Sequence, residues 1–166
     1  MPPIEFFIED GVMLLAAVGT TASAWRQGRG AVVPRWRLLL PGVLAFFSTL
    51  TLIGYPQFRA LLDLEVWSVA IAGIVAGCLR GALLGMDSDH VYQLVRFTGP
   101  ADVRWVAAAF LLIAVLQAAV ELHTLAENPW EPTVELLMLL LGGYLLGRSL
   151  IGWIRAGRLQ HVVLRD

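Results

Sequence analysis

The chain contains no lysine and one cysteine, and only 15% of its 166 residues are charged. A lone cysteine, Cys78, excludes an internal disulfide and any metal site built from several thiolates. Charge this sparse falls well below the roughly one-quarter expected of a soluble domain. With 58% hydrophobic residues and a mean hydropathy of +0.72, the chain cannot solvate itself as a soluble monomer. All 12 basic side chains are arginine, as a GC-rich bacterial genome tends to produce, and the net charge of −1 argues against a nucleic-acid partner. Phosphate-binding P-loop, Gly-x-Ser-x-Gly and His-Glu-x-x-His motifs are absent.

What is present is apolar length. Five stretches, at 7–25, 38–55, 65–86, 104–124 and 133–154, approach or reach the roughly 20 residues that a membrane helix needs. Glu9 and Asp10 intrude on the first, and Pro41 near one end of the second is tolerated. The N-terminal MPPIEFFIEDG is acidic where a secretory signal would be basic, so the first stretch is expected to be retained as a span. Turn and breaker signals fill the connectors RQGRGAVVPRWR, GYPQFR, DSDHVYQLVRFTGPADVR and AENPWEPT.

Charge sets an orientation. Arg26, Arg29, Arg35, Arg37, Arg96, Arg104, Arg155, Arg158 and Arg165 fall on one side, and the opposite side has only Arg59. Positive residues are retained inside, so the N-terminus is expected outside and the C-terminus in the cytoplasm, which requires an odd number of spans. Trp25, Trp36, Tyr55, Trp67, Trp105, Trp130 and Trp153 all fall at span ends, as an interfacial aromatic belt would. The expected fold is an all-α integral membrane protein: one domain over 1–166, a bundle of five transmembrane helices. HVYQLVRF (90–97) and LQHVVLRD (159–166) are rich in β-formers, so each is either a short cytoplasmic strand or an irregular loop or tail.

The third span has Gly73, Gly77, Gly81 and Gly85 at a spacing of four. Each four-residue step turns about 40°, so the glycines line a slowly turning groove about 120° wide. Such a groove lets another backbone approach closely inside lipid, where hydrophobic drive is missing. Gly143 and Gly147 repeat the spacing in the fifth span, which makes the two spans candidate neighbours. The groove serves packing within the monomer or a homodimer seam. Arg80 shares an edge of the glycine face and lies about 9 Å inside the end of its helix. Arg148 is expected at a similar depth, with no carboxylate at that level in any span. The two arginines then either snorkel to phosphates and backbone carbonyls or share an anionic site for a lipid headgroup or acidic ligand.

Other chemistry is thinner. Gln117, Glu121, His123, Glu127 and Glu135 read as a polar rim near the outer surface rather than a metal site, because paired-ligand spacing is missing. His90, His123 and His161 do not face one another at one depth, which speaks against a haem. Asp87 and Asp89, at the end of the third span, read as solvated acids, and Cys78 as an inert packing residue. No catalytic residue, metal ligand or cofactor is assigned.

The stretch RWRLLLPGVLAFFSTLTLIGYPQFRALLDLEVWSVAIAGIVAG, residues 35–77, carries a family likeness. An arginine precedes an apolar-Pro span (Leu38 to Pro41), Tyr55, Pro56, Phe58 and Arg59 mark its exit, and a glycine-bearing span follows. In these features the chain resembles the CcdC-like family of small five-span bacterial membrane proteins, from which it departs in lacking lysine. The resemblance implies an integral protein of the bacterial inner membrane, sometimes associated with cytochrome c maturation, and transfers no functional residue. The expected function is a structural or accessory subunit of a membrane assembly. Its partners would be membrane lipids and either another membrane protein or further copies of itself. The rival is a transporter-like module that binds an anionic lipid or small ligand through Arg80 and Arg148. A weaker rival is a membrane enzyme acting near Asp87 and Asp89.

Overall fold

The computed structural model describes residues 4–53, 64–89, 91–98, 102–123, 131–160, 162 and 164. Among them are five α-helices: α1 (Ile4–Gly28), α2 (Leu40–Ile53), α3 (Leu64–Ala82), α4 (Asp102–His123) and α5 (Glu131–Ala156). A 3-10 turn, Arg35–Leu38, leads into α2. Three short strands, β1 (Val33–Pro34), β2 (Met86–Asp89) and β3 (Leu94–Phe97), form an antiparallel sheet in the order β1-β3-β2. Two helices are long and apolar enough to cross a membrane, over Asp102–Ala119 and Thr133–Ala156, and Val66–Ala82 is a shorter apolar helical stretch. The Tyr55–Arg59 exit motif, His90 and His161 lie outside the described residues.

Helices α1, α2, α5 and α4 pack as a ring, each against the next, and α3 packs onto α5 from outside. The seam between α1 and α4 has a spacing of alternating four and three residues. Met13, Ala17, Thr20, Ala24 and Gln27 are buried on one helix, and Val103, Ala107, Phe110, Ala114 and Gln117 on the other. A repeat of 3.5 keeps one stripe facing an antiparallel partner, and alanine at alternate positions lets the backbones approach. Small hydroxyls then reach across to neighbouring carbonyls: Thr21 Oγ1 lies 3.1 Å from Ala107 O, and Ser48 Oγ donates to Met13 O at 3.1 Å. Such bonds hold helices together where apolar burial discriminates little.

The contact between α3 and α5 is closer still, and the two helices run parallel. A Cβ on Gly73 would fall onto the Leu140 carbonyl, on Gly77 onto the Tyr144 carbonyl, and on Gly81 near the Arg148 carbonyl. Reciprocally, a Cβ on Gly143 would press on Ala70 O and one on Gly147 on Ile74 O. Both helices thus contribute bare backbone to one seam. Gly85 is a correction to the expected stripe. Helix α3 ends at Ala82, and Gly85 sits in the turn before β2, where its carbonyl accepts from the Thr98 amide at 3.0 Å.

The sheet caps one end of the bundle. Val33, Met86, Val95 and Phe97 pack with Leu38, Leu84 and Ala156. Pro34 suits the edge strand, where its missing amide leaves no ladder bond unmade. The 90–97 segment therefore contains a strand, whereas the described residues of 159–166 do not form one: Val162 donates a single bond to Ser88 O at 3.0 Å. Asp89 is a second correction. It is 1% exposed rather than solvated, and its carboxylate accepts from the amides of Val91, Tyr92 and Leu164. Gln117, expected on a polar rim, is buried in the α4 seam. The side chains of Glu121 and His123, and all of Glu127, lie outside the described residues.

Candidate functional site: the Asp102 cluster

Asp102 opens α4, so its carboxylate stands beside amides that have no partner within the helix, at the end where the dipole favours negative charge. Arg80, in the last turn of α3, brings its Nε to 2.7 Å from Asp102 Oδ2. The Tyr144 hydroxyl donates to the same oxygen at 3.3 Å. Arg148, one turn further along α5, places Nη2 at 3.9 Å from Oδ1, and its guanidinium lies 5.3 Å from the centre of the Phe97 ring. The glycine seam sets this geometry. Gly77 and Gly81 seat α3 on the backbone of Tyr144 and Arg148, which carries Arg80 to their level.

Two guanidiniums share one carboxylate, so the cluster carries one surplus positive charge. Arg148 is the buried member, with a side chain 3% exposed, against 32% for Arg80 and 22% for Asp102. Arg148 Nε and Asp102 Oδ1 have no hydrogen-bond partner among the described residues. The face of Phe97 offsets part of the desolvation of Arg148 through its ring quadrupole. The arrangement can therefore do two things: clamp the ends of α3, α4 and α5 together, and present an unfilled guanidinium edge to an anion.

The helical spacing puts Arg80 and Arg148 at one level, and both reach the same carboxylate. No carboxylate is expected at that level from the apolar spans, and Asp102 overturns that expectation. The fourth helix begins at Asp102 rather than Arg104, so an acid assigned to a connector lies inside the bundle end. Tyr144 was also passed over. Its spacing of four from Arg148, on the face that carries Gly143 and Gly147, was the available signal. Cys78 Sγ points to the Gly147 carbonyl at 3.6 Å, inside the α3–α5 seam. Among the described residues, no group of three His, Cys, Asp or Glu gathers to hold a metal ion.

Other arginines at the same end have separate duties. Arg155 Nη1 donates to Gly81 O and Leu84 O, each at 2.9 Å, and so satisfies carbonyls at the open end of α3. Arg35 lies over the Trp153 ring at 4.7 Å and donates to Trp153 O. Arg29 and Arg104 both approach one indole, Trp25, at 5.8 and 5.6 Å from its centroid. Comparison with known proteins finds no matching family model, no matching curated protein and no matching solved structure.

Proposed function

We propose that this chain is a small multi-pass protein of a bacterial inner membrane, with five spans, its N-terminus outside and its sheet-capped end in the cytoplasm. In this reading it serves as a structural or accessory subunit of a membrane assembly, and the likeness of residues 35–77 to the CcdC-like proteins supports that reading. Support for the membrane setting comes from large apolar side chains turned outward along several helices, among them Leu15 of α1 at 74% exposure and Leu79 of α3 at 64%. Nearly all the arginines gather at the opposite end from Glu127 and Glu131 in the chain's alternation, as the positive-inside rule requires.

The observation that carries the accessory role is the outer face of α3. Among its described side chains and glycines, this helix is fully buried only at Ala70, Gly73, Gly77 and Gly81. Trp67, Ile71, Val75 and Leu79 remain exposed, as does Leu83 in the turn just beyond the helix. A helix held by one edge offers an unusually complete apolar face to a neighbouring membrane protein. Purification in mild detergent followed by native mass spectrometry tests this. A stoichiometric second subunit, released by Ile71→Gln with Leu79→Gln while the melting temperature holds, is the expected result. A chain that runs as a bare monomer before and after substitution refutes the role.

A second reading rests on Arg148, whose buried Nε is unfilled among the described residues. It makes the Asp102 cluster a site for an anionic lipid or small acid held by Arg80 and Arg148.

A further inference from the structure

Trp25 is the last large side chain on the outer strip of α1, and two guanidiniums converge on it from different elements. Arg29 comes from the turn that ends α1, and Arg104 from the first turn of α4. Gly28 makes room for the second: a Cβ there would stand 2.6 Å from Arg104 Cγ and would have to displace the arginine stem that crosses the end of α1. Neither arginine forms a salt bridge among the described residues. Two like charges have thus been gathered at one indole, and Asp87, which lines a surface pocket together with Arg29 and Arg96, forms no salt bridge with either of them among the described residues. A cation over an indole gains from the ring, but a second unpaired cation nearby repels the first unless an anion joins them. Below the indole, Ala22, Val18 and Leu15 continue the exposed strip at spacings of three, four and three residues, all on one helix face.

We propose that Arg29, Arg104 and Trp25 form a binding site for the phosphodiester of an anionic phospholipid, with one acyl chain lying along Ala22, Val18 and Leu15. Guanidiniums suit this ligand because their planar forks grip phosphate oxygens in two-pronged fashion. The strip favours a lipid over free phosphate, since a soluble anion gains nothing from an apolar track continuous with its binding groups. This site is separate from the Asp102 cluster. It rests on the membrane reading only in requiring that α1 face lipid.

The test uses the full chain in nanodiscs of phosphatidylcholine containing a minor fraction of phosphatidylglycerol, with bound lipid counted by native mass spectrometry after release. Wild type should retain phosphatidylglycerol in preference to phosphatidylcholine. Arg29→Gln and Arg104→Gln should each cut that retention several-fold, and the double variant should lose little more than either alone. Arg158→Gln, which removes the same charge from the exposed tail, should leave retention unchanged. Equal losses in all three single variants, or full retention in the double variant, overturn the site. Displacement of the lipid by millimolar inorganic phosphate overturns the lipid as its ligand. Insertion into pure phosphatidylcholine discs is measured first. A chain that fails to insert there refutes the membrane reading and the site together, while one that inserts without a headgroup preference refutes the site alone.

Discussion

Arg80 and Asp102 are 22 residues apart in the chain and 2.7 Å apart in the fold, where they join the last turn of α3 to the first residue of α4. The pair is asymmetric in its surroundings. Asp102 also faces Arg148 and Tyr144, whereas Arg80 has no other acid in a salt bridge with it among the described residues.

That asymmetry ranks two substitutions. Asp102→Asn leaves two guanidiniums without a counter-charge, one of them buried, while Arg80→Gln leaves Asp102 still facing Arg148 and Tyr144. The melting temperature in detergent should therefore fall further for Asp102→Asn than for Arg80→Gln. The reverse order would show that Asp102 is not the common counter-ion.

The glycine seam should be intolerant of a single methyl group. In Gly77→Ala and Gly147→Ala the new Cβ must push a backbone carbonyl on the facing helix, an overpacking worth about 1–3 kcal/mol. Ala76→Leu adds far more volume but on the exposed side of α3, and should change little. Denaturant unfolding in micelles measures all three, and similar losses at the three positions would remove the seam from its packing role.

Asp89 should tether the C-terminal segment. Its carboxylate accepts from the Leu164 amide as well as closing the turn at Val91 and Tyr92. Asp89→Ala leaves those amides without their acceptor, a loss of about 1–3 kcal/mol. Hydrogen exchange at Val162 and Leu164 should quicken in the variant, while exchange in the α1–α4 seam stays slow. Unchanged exchange at both positions would mean that other groups hold the tail.

The two readings of Arg148 separate in a double-mutant cycle. If Arg80 and Arg148 grip one anion, Arg80→Gln and Arg148→Gln should each remove the same co-purifying species, with non-additive losses, and lysine should not restore it at either site. If the cluster only clamps helices, no anion should be lost, and Arg148→Met should be tolerated because an apolar side chain of similar length avoids desolvating a charge. Retained ligand by native mass spectrometry, with melting temperature as the control, decides between them.

The sequence by itself determined the helical segments, the glycine seam between the third and fifth helices, and the gathering of arginine at one end. These follow from local quantities: apolar length, residue spacing and the position of charge along the chain. Gly73, Gly77, Gly143 and Gly147 could be paired in advance because a backbone stripe on one helix calls for another. Only the tertiary structure decided which acid meets which arginine. Asp102 lies in a polar connector by composition and enters the bundle end because α4 starts two residues earlier than its apolar run. The same holds for β1, too short at Val33–Pro34 to carry any periodicity, and for Asp89, whose burial depends on a turn and a distant tail closing over it. Trp25 shows both sides of the division: its place at a helix end was legible from its neighbours, but the arrival of Arg104 from a helix about 80 residues away depends on helix packing that no local pattern encodes.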